Sequence, residues 1–160
     1  MSKTQPIKPR MALRATLSFG IVASQYNLAY VQAMADHAQN ELNQLEPGAN
    51  VSLVWVPGSF EIPVAVKVMA AQRKYDALIA LGVVFQGETA HATLIANSVS
   101  MALQTVAMDH SIPVIHEVLL LKNEEQAKAR CLGAELNRGI EAARAAVATA
   151  RTIREILPKF

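Results

Sequence analysis

The stretch Ala77-Leu-Ile-Ala-Leu-Gly-Val-Val-Phe-Gln-Gly-Glu-Thr-Ala-His91 decides the fold. From Ala77 to Val84 it is a nearly continuous apolar run, lacking the alternation of a half-exposed strand. That pattern is expected where helices cover both faces of a parallel sheet. The run gives way to a short turn containing Gly87, and a helix is expected from Thr89 to Met108 with His91 in its first turn. A buried strand, a glycine turn and a helix together make the repeating unit of an α/β fold.

Working outward, the same unit recurs. Leu17 to Ala23 is a short apolar run, broken by Ser24-Gln25-Tyr26-Asn27. Leu28 to Leu45 follows with helical spacing through Val31, Met34, Ala35, Ala38 and Leu42. Glu46-Pro47-Gly48-Ala49-Asn50 is a turn, Val51 to Val56 a second strand, and a helix is expected over about Glu61 to Arg73. Pro63 is acceptable there only in the first turn. Ile112 to Leu120 reads as the fourth strand, then Glu124–Leu132 and Asn137–Leu157 as helices, with Gly133 and Gly139 marking the break between them. The order βαβαβαβα, without repeat or linker, predicts a three-layer α/β/α sandwich around a central, mainly parallel four-stranded sheet, flavodoxin-like in class. Residues 1–14 are expected to be a flexible N-terminal arm and 15–160 a single domain. Right-handed crossovers should gather the segments at 24–27, 57–61, 85–91 and 117–123 along one edge of the sheet.

Composition narrows the function. The chain has 160 residues, 52% hydrophobic and 18% charged, too apolar for disorder. Its formal net charge of +2 comes without a basic stripe, which argues against nucleic acid as a partner. Lys3, Lys8, Arg10 and Arg14 read as a solvated tail. No apolar run reaches a membrane span, no secretory signal is expected, and the single Cys131 fits a reducing, cytoplasmic location. One cysteine and 4 scattered histidines form no metal-ligand cluster, so no metal is expected.

Several residues carry chemistry, each beside a plainer reading. Gly87, Glu88 and Thr89 open a helix, where free N–H groups favour an anion, although a glycine and threonine there are also ordinary helix punctuation. His91 is a candidate for proton transfer or a helix histidine bonded to structure. Glu61, after Pro57-Gly58-Ser59-Phe60, is either an acceptor for ligand hydroxyls or a carboxylate at ease in a first helical turn. Tyr26 and Asn27 would stack on a planar ring and bond its edge, or pack on their own loop. Arg130 reaches an anion or faces solvent. His116-Glu117 interrupts the fourth strand, as at a site or a subunit boundary.

Taken together, Tyr26-Asn27, Val56-Pro57-Gly58-Ser59-Phe60-Glu61-Ile62-Pro63 and Gly82-Val83-Val84-Phe85-Gln86-Gly87-Glu88-Thr89-Ala90-His91 resemble the signature of the 6,7-dimethyl-8-ribityllumazine synthase family of riboflavin biosynthesis. Weaker support comes from Glu125-Gln126-Ala127 through Arg130 and from Asn137 to Ala143, and the likeness runs from about Thr16 to Ile156. The resemblance implies a transferase that condenses 5-amino-6-(D-ribitylamino)uracil with 3,4-dihydroxy-2-butanone 4-phosphate, with neither metal nor redox cofactor. It implies that Tyr26 and Asn27 contact the pyrimidine, that Ser59, Phe60 and Glu61 hold the ribityl chain, and that Val84 and Phe85 recognise the uracil edge. Gly87, Glu88 and Thr89 would bind phosphate with Arg130, and His91 would be the catalytic histidine, with Glu141 near it.

The resemblance further implies pentamers with sites between adjacent subunits, alone, as decamers or as sixty-subunit shells, with riboflavin synthase as a further partner. His116 and Glu117 stand where the family usually has Phe-Gly, a pair directed at the neighbour's ligand. Cys131-Leu132-Gly133-Ala134 replaces its usual Ala-Gly-Thr-Lys. These departures motivate one alternative, a catalytically weak member that binds flavin or lumazine, or acts as a shell protein. A generic nucleotide-binding module lacks a phosphate loop after the first strand.

Overall fold

The computed structural model of the chain describes residues 6–9 and 16–157. The arm expected over 1–14 therefore lies outside the described residues except at 6–9, where Lys8 Nζ stands 3.9 Å from Glu41 Oε1. Four strands, β1 (Ser18–Ser24), β2 (Asn50–Val56), β3 (Ala77–Phe85) and β4 (Val114–Leu121), alternate with helices α1 (Leu28–Leu45), α2 (Ile62–Ala71), α3 (His91–His110), the short α4 (Glu124–Ala127) and α5 (Arg138–Ile156). A 3₁₀ turn at Ser59–Glu61 leads into α2, and a π turn at Lys128–Leu132 prolongs α4. All strand pairs are parallel, in the order β2-β1-β3-β4.

The apolar run quoted above is the centre of the sheet. Every residue from Ala77 to Val83 is buried, because alternate side chains enter two different cores. On one face Phe19, Ile21, Ile79, Leu81 and Val83 pack with Val31, Met34, Ala38 and Leu42 of α1 and with the small residues Ala143, Ala146 and Ala150 of α5. On the other, Val22, Leu78, Ala80 and Val118 meet Val66 and Met69 of α2 and Val99, Leu103 and Val106 of α3. Each large aliphatic side chain so buried contributes roughly 1.5–3 kcal/mol.

Two expectations need correction. Helix α3 begins at His91, not Thr89, and ends at His110, not Met108. Gln86 N–H donates to Leu121 O at 2.8 Å, so the strand pairing persists and the chain needs the following residues as a turn before it can coil over the opposite face. At its far end Ser111 adopts a left-handed conformation (φ 51°) and returns its N–H toward Ala107 O and Met108 O, closing the helix before Pro113. Gly139 does not lie in the break before α5 either. It sits inside the first turn of α5, where a Cβ would run into the Met34 carbonyl of α1. The glycine lets the two helices approach, and Asn137 caps α5 by accepting the Gly139 N–H at 2.9 Å.

Arginines along α5 add ion pairs, to Glu41 of α1, to Glu46 just past its end and to Asp76 before β3. Arg144 Nε donates to Glu41 Oε1, Arg151 Nε to Glu46 Oε1 and Arg154 Nε to Asp76 Oδ1, each at 2.8 Å. Glu41 and Glu46 are buried, so these partners satisfy carboxylates whose burial alone would be costly. Gly139→Ala should therefore separate α5 from α1 and lower stability by about 3 kcal/mol. Urea unfolding of the variant measures this, and an unchanged midpoint would refute the close-approach role.

Candidate active site

With the order β2-β1-β3-β4, the chain leaves β1 toward one edge and β3 toward the other. The crevice beyond the carboxyl ends of β1 and β3 is therefore the topological switch point, where open α/β sheets receive ligands. A cavity of about 730 Å³ occupies it, lined by residues 26–27 after β1, 58–61 after β2, 83–85 at the end of β3, and His91, Ala92 and Ile95 of α3. Such a volume suits a small molecule.

The loops are latched to one another through the backbone. Gln25 N–H donates to Val56 O at 2.9 Å and Tyr26 N–H to Pro57 O at 3.1 Å, tying the β1 loop to the β2 loop. Asn27, in a left-handed conformation (φ 57°), donates from Nδ2 to Val83 O at 2.8 Å and ties the same loop to β3. Short polar side chains tolerate that backbone region better than most. Phe85 meets Tyr30 of α1 edge-on, ring centroids 6.0 Å apart.

Around Gly58 the packing is close. Its N–H donates to Glu61 Oε2 at 2.9 Å, and a Cβ there would meet that oxygen at 2.8 Å and the Tyr26 ring at 3.0 Å. Glu61 thus uses one carboxylate oxygen to close the 3₁₀ turn and remains exposed to the cavity. Ser59, at the cavity floor, is only 6% exposed, whereas Tyr26 and Phe60 are 69% and 57% exposed. Under Ser59 lies Ser24, wholly buried, whose Oγ has no hydrogen-bond partner among the described residues. A buried hydroxyl left in that state costs about 1–3 kcal/mol.

Of the residues singled out in the sequence, Tyr26, Asn27, Ser59, Phe60, Glu61, Val84, Phe85 and His91 come together in this cavity. Gly87, Glu88 and Thr89 are exposed beside it without lining it, and Gly87 has open space where a side chain would stand. His116 and Arg130 are not among the lining residues either. The 117–123 segment likewise stays outside, because β4 is one strand removed from the switch point. Val83, Ala92 and Ile95 line the wall without being singled out in the sequence, whereas Gly58 lies within the 57–61 segment expected there. Ile95 was detectable, since it lies one helical turn after His91 on the same face.

His116 and Glu117 point to opposite faces of β4, as neighbours on a strand must. On the α3 side, His116 Nε2 is 2.7 Å from Ser100 Oγ, Ser100 donates to Ala96 O at 2.8 Å, and Val118 N–H donates to His116 Nδ1 at 3.3 Å. This network assigns the Nε2–H tautomer. Burial lowers the pKa of the imidazole from its ordinary value, outweighing a backbone hydrogen bond that acts the other way. On the α5 side, burial pushes the Glu117 carboxyl up to about 8, with repulsion from Glu141 adding to it and Arg138 and Arg130 opposing it. Arg138 and Glu141 form an ion pair within this group. Burial also pushes the Cys131 thiol up to about 12, which leaves it protonated and unreactive at neutral pH.

The fold and cavity define a doubly wound α/β protein with a cavity sized for a small molecule at its switch point. Residues 16–154 match the model of the family described as 6,7-dimethyl-8-ribityllumazine synthase. A protein of that name from Coxiella burnetii is 36% identical over 143 residues, covering 89% of this chain and 95% of the relative. Its counterpart in Polaromonas is 39% identical over 140 residues, covering 87% and 88%. Another from Clostridium kluyveri is 41% identical over 143 residues, covering 88% and 92%. The chain belongs to the 6,7-dimethyl-8-ribityllumazine synthase family.

Glu117 gives a pH signature. A carboxyl near 8 in the fold and near its ordinary 4.5 when unfolded keeps its proton only in the native state between those values. Stability contributed this way is full below about 4.5 and is lost as pH rises through 8, at up to about 1.4 kcal/mol per pH unit. His116, with its lowered pKa, acts with opposite sign below its ordinary 6.5. The difference between wild type and Glu117→Gln isolates the first effect: the variant should lose the decline between pH 5 and 8 in urea-unfolding free energy, and parallel curves would contradict the assignment.

Proposed function

We propose that this chain catalyses the family's reaction, condensing 5-amino-6-(D-ribitylamino)uracil with 3,4-dihydroxy-2-butanone 4-phosphate to give 6,7-dimethyl-8-ribityllumazine, phosphate and water. The observation that carries the reading is the single cavity wall shared by Tyr26, Asn27, Ser59, Phe60, Glu61 and His91, within a chain that matches the family from residue 16 to 154. The uracil's 5-amino group attacks the ketone to form an imine with loss of one water, phosphate is eliminated, and the ribityl-bearing nitrogen closes the ring with loss of a second water. Tyr26 stacks on the pyrimidine beside Asn27, and the backbone at Val84 and Phe85 reads its edge. Ser59, Phe60 and Glu61 hold the ribityl chain.

These steps move protons without a protein adduct, so positioning supplies much of the rate. His91, at the first position of α3 and on the cavity wall, is the proton-transfer group. Gly87, Glu88 and Thr89 form the phosphate-binding turn, completed by Arg130. His116 and Arg130 are both assigned to the site of a neighbouring subunit, in keeping with a site shared between adjacent subunits. That assignment requires a homo-oligomer, with the pentamer as its unit. An apolar groove lined by Val54, Val56, Val64, Ala65, Val68 and Met69, with Val64 and Val68 more than half exposed, supports burial of this face against a second copy. A cytoplasmic location and riboflavin synthase as the consumer of the product complete the reading. No helix of the described residues is long and apolar enough to cross a membrane. The alternative of a flavin-binding or shell protein without catalysis is not favoured, since the relatives are named as synthases.

Mixing the protein with both substrates should yield lumazine fluorescence and phosphate in step, and rates equal to the uncatalysed background would sink the reading. His91→Ala should lower kcat by about 10²–10⁴-fold with the assembly retained in sedimentation, and an unaltered kcat would remove His91 from its role. Val68→Asp should shift the sedimenting species to monomer and abolish turnover, since the neighbour's Arg130 would leave with it. A monomeric, active variant would overturn the shared site.

A further inference from the structure

Beneath the cavity floor, three small residues meet. On β3, Gly82 faces the α2–α3 core, and the position where its Cβ would stand is 2.6 Å from Ser59 Oγ, 3.2 Å from Ser24 Oγ and 3.2 Å from Val118 Cγ1. Two serine hydroxyls therefore converge on one point, closed off from below by a methyl group. Ser59 lines the cavity and is almost covered, whereas Ser24 is fully buried, with no hydrogen-bond partner among the described residues. A native fold rarely retains an orphaned buried hydroxyl without a use for it. Replacement by alanine would remove the orphan, and the side chain already sits where alanine fits. We propose that Ser24 is a positioning residue for the polyol arm of the aminouracil substrate, acting through Ser59; the assignment rests on the synthase reading above.

The physical basis is a relay of two hydroxyls. Each serine side chain has three staggered rotamers, so the relay calls for a rotamer change at one of them that brings the two oxygens, which flank one point, into bonding range. Ser24 then donates its O–H to Ser59 Oγ, and Ser59 turns its own O–H toward a hydroxyl of the ligand. Each bond polarises the next, so Ser59 becomes a better donor than it is alone. The glycine at 82 is what permits the arrangement, because any side chain there would displace Ser59 from the floor. Nothing moves covalently, and the effect falls on binding of the hydroxylated arm and not on the carbonyl chemistry at the ring.

Ser24→Ala tests this with two readouts that a merely structural role would not separate. The variant should melt no lower than wild type, since the lost hydroxyl has no partner in the fold. Its KM for 5-amino-6-(D-ribitylamino)uracil should nevertheless rise about three- to tenfold, the loss of one net hydrogen bond, while kcat and the KM for the butanone phosphate change less than twofold. With 5-amino-6-methylaminouracil, which lacks the polyol, wild type and variant should bind alike. Adding Ser24→Ala to Ser59→Ala should cost nothing further, because the relay is already broken.

Calorimetry of the ribitylaminouracil alone decides the Ser24 role independently of turnover. A binding wild type without phosphate release would refute the synthase reading and leave the relay standing if the variant binds more weakly. Equal affinities of wild type and variant, or equal losses for the ribityl and methyl compounds, would overturn the relay. A wild type that binds neither compound would overturn both.

Discussion

The burial of β3 on both faces is the constraint from which the rest follows. A strand that is apolar at every position from Ala77 to Val83 must be covered twice, so helices are required on either side of the sheet. Crossovers of a parallel sheet share one hand, and a chain that must place helices on both faces has to reverse its direction of travel once. In the order β2-β1-β3-β4 that reversal falls between β1 and β3. The crevice is thus a by-product of covering a hydrophobic strand. The loops that bound it belong to different βα units, which is why residues as far apart in sequence as Tyr26, Ser59 and His91 share a wall.

Pre-organisation of that wall comes from hydrogen bonds to main-chain groups, some made by the backbone and some by side chains. The Val56 and Pro57 carbonyls hold the loop after β1, and Asn27 anchors it to Val83. Gly58 allows the Tyr26 ring to lie over the backbone while Glu61 closes the turn beneath it. Polar groups farther out have a different environment. On β4, His116 and Glu117 are partly withdrawn from water, and each is favoured in its uncharged form, one by losing a proton and one by keeping it. A strand segment that reads as charged or titratable is therefore close to neutral where it sits.

Much of this was legible in the sequence because it depends on local pattern. The bounds of α1 follow from apolar spacing through Val31, Met34, Ala38 and Leu42, and the strands from short β-rich runs between turn residues. The convergence of three of the four expected loops followed from the shared hand of parallel crossovers, while the strand order that leaves out the fourth is known only from the fold. What was not legible depends on partners distant in the chain. The start of α3 was misplaced because Gln86 bonds to Leu121, a contact no local window contains. Gly139 looked like a helix break because a glycine serves equally for a turn and for close packing, and only Met34 distinguishes them. The Ser100 partner of His116 and the isolation of Ser24 are likewise products of packing. The protonation of Glu117 is set by the surroundings of the carboxyl and not by its neighbours in sequence.

The docking of α5 onto α1 carries a further consequence, for the order in which the protein is made. Arg144 and Arg151 meet Glu41 and Glu46 across sequence separations of 103 and 105 residues. Helix α1, with Glu46 just past its end, emerges during synthesis with an apolar face and two carboxylates whose cover lies far later in the sequence. Until then one side of the nascent sheet is open, and the contacts that close it carry a high loop-closure entropy. Without α5 the apolar face of α1 has no cover, and exposed apolar surface of that kind favours aggregation.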